Sequence, residues 1–113
     1  MARRCRSCPP VPEEIRLAAD LLGRRWSLAV VYACHSGAAR FNEVSQSVGG
    51  VPPRTLVQRL TELEQAGVLE RRVIASRPPQ VEYRLTPDGQ RLAGVIEALR
   101  RWGADRAAAR TAA

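Results

Sequence analysis

The sequence has no lysine: all 18 of its basic residues are arginine. It has one histidine, and only two tryptophans, two tyrosines and one phenylalanine supply aromatic rings. No histidine stands among clustered acids, and no nucleophile is paired with a base. Acid–base and nucleophilic catalysis both need such sets, so an enzyme is the poorer expectation and no cofactor is implied. The longest apolar run, Leu28 to Cys34, falls far short of the roughly 20 residues of a membrane span, so no membrane partner is expected. No charged start with an apolar core and a small-residue cleavage site is visible, so secretion is not expected. Three cysteines, an odd number, argue against a disulfide-stapled scaffold and fit a reducing cytoplasm.

What remains is one domain of 113 residues, 45% hydrophobic and 26% charged, the balance of a folded soluble protein. Its formal net charge is +7. Such an excess on so small a domain points to a polyanionic partner. Arginine suits bidentate contact with phosphate and guanine. An all-arginine composition also follows from a GC-rich genome, and composition alone favours the genome.

Residues 1–12 form a basic arm with Arg3, Arg4, Arg6 and three prolines. Ile15, Ala18 and Leu22 then recur at helical spacing, with Glu13 and Glu14 in the first turn, where the helix dipole favours acids. Trp26 to His35 is apolar nearly all round and is expected as a central core helix. Phe41, Val44 and Val48 mark a short amphipathic helix. Gly49-Gly50-Val51-Pro52 makes a turn, and Pro53 suits the first position of the next helix, whose stripe is Leu56, Leu60 and Leu63. Residues 68–75 and 81–86 read as a hairpin with a proline-bearing tip. Thr86-Pro87 reads as cap and first position of a last helix carrying Leu92, Val95, Ile96, Leu99 and Trp102. The domain is expected to span residues 13–103, with an Ala/Arg-rich tail over 104–113 that frays or extends the last helix.

A short helix, a glycine-bearing turn, a second helix and a two-stranded wing make the winged helix-turn-helix plan, mainly α with one small hairpin. The second helix of the pair is polarised, with Arg54 and Arg59 early and Glu62 and Glu64 late. A recognition helix enters the major groove by its N-terminal end, so readers belong early and acids away from phosphates. Arg54, Arg59, Thr55 and Gln58 are the expected base readers. Arg77, at the wing tip, is placed to reach the minor groove or flanking phosphates. Arg24 and Arg25 precede a helix N-terminus, itself an anion site, and one of them is expected on phosphate. The competing reading is a winged module that binds protein and leaves DNA alone; an acidic or apolar second helix would have favoured it. The long C-terminal stripe exceeds what the core needs and favours an intermolecular seam over packing back on the domain.

The chain resembles the HxlR-type family of bacterial winged-helix transcription regulators. The matching segments are Cys8-Pro9, Leu21 to Trp26, Arg40 to Val44, Pro53 to Leu60, Leu63 to Arg71 and Val81 to Gly89. The resemblance implies a homodimer on an inverted-repeat operator in double-stranded DNA, and of the two directions of regulation repression is the one expected here. It implies a seam built from the first and last helices, here Ile15 and Leu22 with Leu92, Val95, Ile96, Leu99 and Trp102. It also brings Arg25, Arg40 and Asn42 into the expected DNA contacts. Pro52 stands where the family usually has Ser or Thr, which removes a side-chain cap of about 1 kcal/mol and a hydroxyl that could meet phosphate.

Cys5-Arg6-Ser7-Cys8 has zinc half-site spacing, but no second pair exists, so no metal is expected. Neighbouring arginines favour a thiolate. The resemblance puts Cys8 where some relatives sense oxidants or electrophiles. An oxidant, or a small molecule at the dimer seam, is the expected effector. Cys34 is expected as a small core residue, and His35 at the end of its helix.

Overall fold

A computed structural model describes residues 4–112; Arg3, one of the arm arginines invoked above, lies outside them. The elements run α1 (Glu13–Leu22), α2 (Ser27–His35), α3 (Phe41–Val48), α4 (Pro53–Gln65), β1 (Leu69–Ile74), β2 (Gln80–Leu85), α5 (Pro87–Gln90) and α6 (Ala93–Ala112).

The core forms where α2, α3 and α4 meet the base of the hairpin. Val30, Val31 and Ala33 of α2, Val44 of α3, and Leu56, Leu60 and Leu63 of α4 are buried, closed below by Val68 and Leu69. The apolar run from Leu28 forms a helix with one face in the core through Val30, Val31 and Ala33, while Leu28 and Tyr32 on the other stay exposed. Trp26, before α2, sits at φ +80°, a left-handed conformation uncommon outside glycine. Gly49 and Gly50 take φ +74° and +80° in the turn between α3 and α4, where glycine reverses the chain without strain. Pro52 caps α4 without a side-chain bond, and Pro53 opens it.

The strands pair antiparallel from Leu69 opposite Leu85 to Ile74 opposite Gln80, so Gln80 belongs to the strand rather than the tip. The wing is pinned to the helices by a third short pairing. The Tyr83 amide donates to the Ala39 carbonyl at 2.8 Å, and Arg40 bridges Glu82.

The single last helix expected from Thr86-Pro87 is in fact two. Thr86 caps α5, its hydroxyl oxygen accepting from the Gly89 amide at 3.0 Å. The Arg91 and Leu92 amides then bond three residues back, to Asp88 and Gly89 at 3.1 Å each, tightening the chain into a turn before α6 starts. Gly89 packs so close to the Val68 carbonyl that a Cβ would overlap it, which holds α5 on the hairpin base. The apolar stripe begins only at Leu92, at this break, so the spacing of apolar residues does not reveal it. Beyond Ile96, α6 leaves the domain and runs on through Ala112, across the boundary expected at residue 103. The radius of gyration is 17.1 Å, against about 13 Å for a compact domain of this length.

At the start of α3 the Glu43 carboxylate accepts from the Arg40 amide at 2.9 Å and the Ala39 amide at 3.0 Å. These two bonds, that to Arg40 foremost, hold its pKa below the usual glutamate value. A carboxyl lowered in the folded state stabilises the fold above its unfolded pKa, and that contribution is lost as pH falls through the folded pKa. Glu43→Gln is therefore expected to melt below the wild type at neutral pH. The gap should close as pH falls through the carboxylate range. Parallel thermal melts over that range check this; a gap independent of pH would mean the charge plays no part.

Candidate nucleic-acid interface

The geometry of α4 divides its residues into two sets. At 3.6 residues per turn, Arg54 and Gln58 stand about 160° round the helix from the buried Leu56, whereas Arg59 stands only about 60° away. Arg54 and Gln58 are accordingly exposed, and Arg54 enters no ion pair with a described residue. Thr55 is half-buried at the flank of the same first turns.

Arg59 is engaged within the protomer. Its side chain is only 13% exposed. Its Nε donates to the Arg25 carbonyl at 2.8 Å, and its guanidinium donates to Glu62 at 3.0 Å. Arg24 takes the other Glu62 oxygen, also at 3.0 Å. Arg59, expected as a base reader, here lies near the leucine stripe and ties α4 to the α1–α2 turn. The late acid Glu62 is neutralised by the same tie, which leaves less bare negative charge on the helix.

Arg25, in that turn, lies over the Trp26 ring at 4.8 Å and remains exposed. Arg40 and Asn42 are exposed at the start of α3, with Arg40 held to the wing strand. Arg77 lies in the exposed connection between β1 and β2 and enters no ion pair with a described residue. Arg72 and Arg84 on the strands pair with Glu70 and Glu82. The structure therefore joins Arg25 with Arg59, sets Arg54 and Gln58 on one face, and leaves Arg77 apart at the far end of the wing.

One residue of the exposed α4 face, Val57, escapes the sequence reading. Val57 is 53% exposed, and Thr61, one turn on, bonds its hydroxyl back to the Val57 carbonyl at 2.9 Å. The available signal was a valine about 100° off the leucine stripe.

Of the expected seam residues, Ile96 is buried within the protomer, and Leu22 and Leu92 are half-buried against the core. Ile15, Val95, Leu99 and Trp102 are exposed, as is Leu17, which had not been singled out. No residue of α1 is buried. Arg106 stacks on Trp102 at 4.2 Å.

Cys5 and Cys8 are bonded to each other in the exposed arm, where the disulfide closes a short loop without stapling the core. Cys34 is a free thiol whose pKa burial pushes up to about 11, so it stays protonated and inert.

The HxlR-like helix-turn-helix family matches residues 21–111. The chain belongs to that family. It is a transcription regulator of the helix-turn-helix type with a winged-helix fold. Among its relatives, the HTH-type transcriptional regulator YodB of Bacillus subtilis is 33% identical over 95 residues, covering 84% of this chain and 81% of that protein. The crystal structure of diamide-treated YodB superposes with a TM-score of 0.70 at 30% identity, over 84% of this chain and 94% of that one. The redox regulator HypR in its reduced form superposes with a TM-score of 0.78 at 29% identity, over 89% of this chain and all of that one. Among the described residues no helix is long and apolar enough to cross a membrane.

Proposed function

We propose that this protein is a homodimeric repressor that sets the N-terminal end of α4 into the major groove at each half of an inverted repeat. The observation that carries this reading is the division of α4 between a buried leucine face and an exposed face with unpaired Arg54 and Gln58. Arg54 takes guanine O6 and N7, and Gln58 takes adenine N6 and N7. Thr55 meets the flanking edge. Arg25, Arg40, Asn42 and Arg77 position the domain on phosphates and the adjoining groove. Occupancy of the operator is sufficient for repression, which is why repression is the direction chosen.

The dimer reading rests on exposed apolar surface. Ile15 and Leu17 on α1, and Val95, Leu99 and Trp102 on α6, stand in water in the protomer although α6 projects well beyond the core. A cleft of about 610 Å³ lined by Leu17, Leu21, Leu22 and Leu92 lies beside them. Association of α1 and α6 across a two-fold axis would cover this surface, and a two-fold dimer matches a palindromic site. Leu22, Leu92 and Ile96 support the seam from beneath.

The thiol response rests on the arm and on the diamide-treated and redox-regulating relatives. Cys8 and Cys5 as thiols would give up two protons and two electrons to an oxidant such as diamide and form the disulfide. The arm leads directly into α1, so its change of state acts at the seam.

Three outcomes are expected. Selection from random duplexes should recover an inverted repeat. On it, Arg54→Ala and Gln58→Ala should each cost roughly 1–3 kcal/mol, with smaller losses on random DNA. Arg77→Ala should weaken all duplexes alike and flatten the slope of log affinity against log salt by about 0.9 for each phosphate that Arg77 neutralises. Recovery of no duplex would overturn DNA binding. Second, sedimentation should find a dimer at micromolar concentration. Leu99→Asp should yield a folded monomer, since Leu99 is exposed within the protomer, and an unpaired carboxylate at the seam is costly. A wild-type monomer would end the dimer reading. Third, diamide should lower operator affinity in the wild type and Cys34→Ser, reversibly with dithiothreitol, and leave Cys8→Ser unaffected. Equal binding by oxidised and reduced wild type would remove Cys8 from regulation.

A further inference from the structure

We infer that Val57 reads the C5-methyl group of a thymine in each operator half-site, with the methyl of Thr61 beside it. The inference deepens the proposal above and rests on α4 being the recognition helix.

A single exposed valine on a protein surface is ordinary. Three features set this one apart. First, it does not serve the fold: the buried stripe of α4 is complete in Leu56, Leu60 and Leu63, and Val57 is 53% exposed beside it. As a β-branched residue it also favours the helix less than the arginine, glutamine or glutamate found elsewhere on α4. Second, Thr61 follows one turn on, and its hydroxyl is committed at 2.9 Å to the Val57 carbonyl. With its oxygen turned back to the helix, Thr61 offers its methyl to what lies outside. Two branched side chains at i and i+4 thus form a short apolar ridge on an otherwise polar face. Third, the ridge is flanked by hydrogen-bonding groups suited to base edges, Arg54 one turn before Val57 and Gln58 next to it.

Thymine alone among the four bases carries a methyl group on its major-groove edge, where cytosine has only a C5–H. An apolar ridge among base-reading side chains therefore fits thymine best. Gln58 suits adenine, so adjacent Val57 and Gln58 together select an A·T-containing segment. Arg54, a turn nearer the N-terminus, selects a guanine to one side. The protein then distinguishes thymine from unmethylated cytosine or uracil by an interaction that contains no hydrogen bond.

The test changes only the methyl. Duplexes recovered by selection are resynthesised with each thymine replaced singly by deoxyuridine, and affinities are measured for wild type and Val57→Ala. Alanine is the better helix former and the site is exposed, so the variant folds. For the wild type, loss of one methyl at the read position should lower affinity about fourfold per half-site. Val57→Ala should lose a similar factor on the thymine duplex and bind the thymine and uracil versions equally. Val57→Thr, which keeps one methyl, should restore part of the preference. Wild-type protein indifferent to uracil at every position, or Val57→Ala that still prefers thymine at the same position, would overturn the inference while leaving DNA binding intact. A wild type that captures no duplex at all would instead remove the recognition-helix reading, and this inference with it.

Discussion

The burial of Leu56, Leu60 and Leu63 is the constraint on which the rest of the molecule depends. A helix that presents its outer face to a partner must be held by its inner face. Each of these leucines is essentially inaccessible to solvent, packed with Val30 and Val31 of α2 and Val44 of α3. Full burial of a leucine stabilises a fold by roughly 1.5–3 kcal/mol, and truncating one in a packed core costs about 2–5 kcal/mol. The orientation of α4 is therefore set by packing, which is short-ranged and stiff. The polar residues on the far side inherit that stiffness. Arg54, Val57 and Gln58 need no contacts of their own to be well placed.

Polar contacts refine this orientation rather than create it. Arg59 joins α4 to the α1–α2 turn through the Arg25 carbonyl, and Glu62 joins it again through Arg24. The Arg24–Glu62 pair is open to water, and exposed pairs of this kind contribute about 0–1 kcal/mol. The Arg59 bond to the Arg25 carbonyl is more sheltered, because the arginine side chain is mostly covered. Its effect is directional. It fixes a turn whose backbone already includes the left-handed Trp26, while the pairs of Arg59 and Arg24 with Glu62 neutralise that one of the two late acids.

The helix pair, the glycine turn and the wing were legible in the sequence because each carries its own local signature. The stripe of Leu56, Leu60 and Leu63 has one period, the hairpin has another, and Gly49-Gly50 and Pro53 punctuate between them. What escaped depends on non-local contacts. The break between α5 and α6 falls before the apolar stripe, which begins at Leu92, so periodicity is silent on it; the close approach of Gly89 to the Val68 carbonyl beside it is likewise reported by no local pattern. Ile96 and Leu99 look alike in the stripe, yet one turns into the core and the other into water, since α6 leaves the domain between them. In the candidate interface, Arg54 and Gln58 were legible from charge polarity and helix face. For Arg59 residue type and angle point different ways: arginine suggests a base reader, but a position about 60° from Leu56 sets its side chain against the protein. Val57 was overlooked for the opposite reason, an apolar residue where polarity was sought.

The same geometry links the two faces on which a dimeric regulator would depend. α1 carries no buried residue, and it ends at Gly23, where the Gly23 amide donates to the Ala19 carbonyl at 2.7 Å and leaves no room for a side chain. The next two residues, Arg24 and Arg25, are the ones bonded to Glu62 and Arg59 on α4. Between the exposed apolar face of α1 and the exposed polar face of α4 there is thus one tight helix end and two residues tied at 2.8–3.0 Å, with no flexible linker. Any partner that fixes α1 fixes α4 through that turn. Two recognition helices must sit about one DNA turn apart to occupy both half-sites, a spacing that tolerates little play. A short, hydrogen-bonded connection meets that requirement where a glycine-rich hinge would not. It also makes the arm before α1 a sensitive place for chemistry, because a displacement of α1 reaches α4 with little to absorb it on the way.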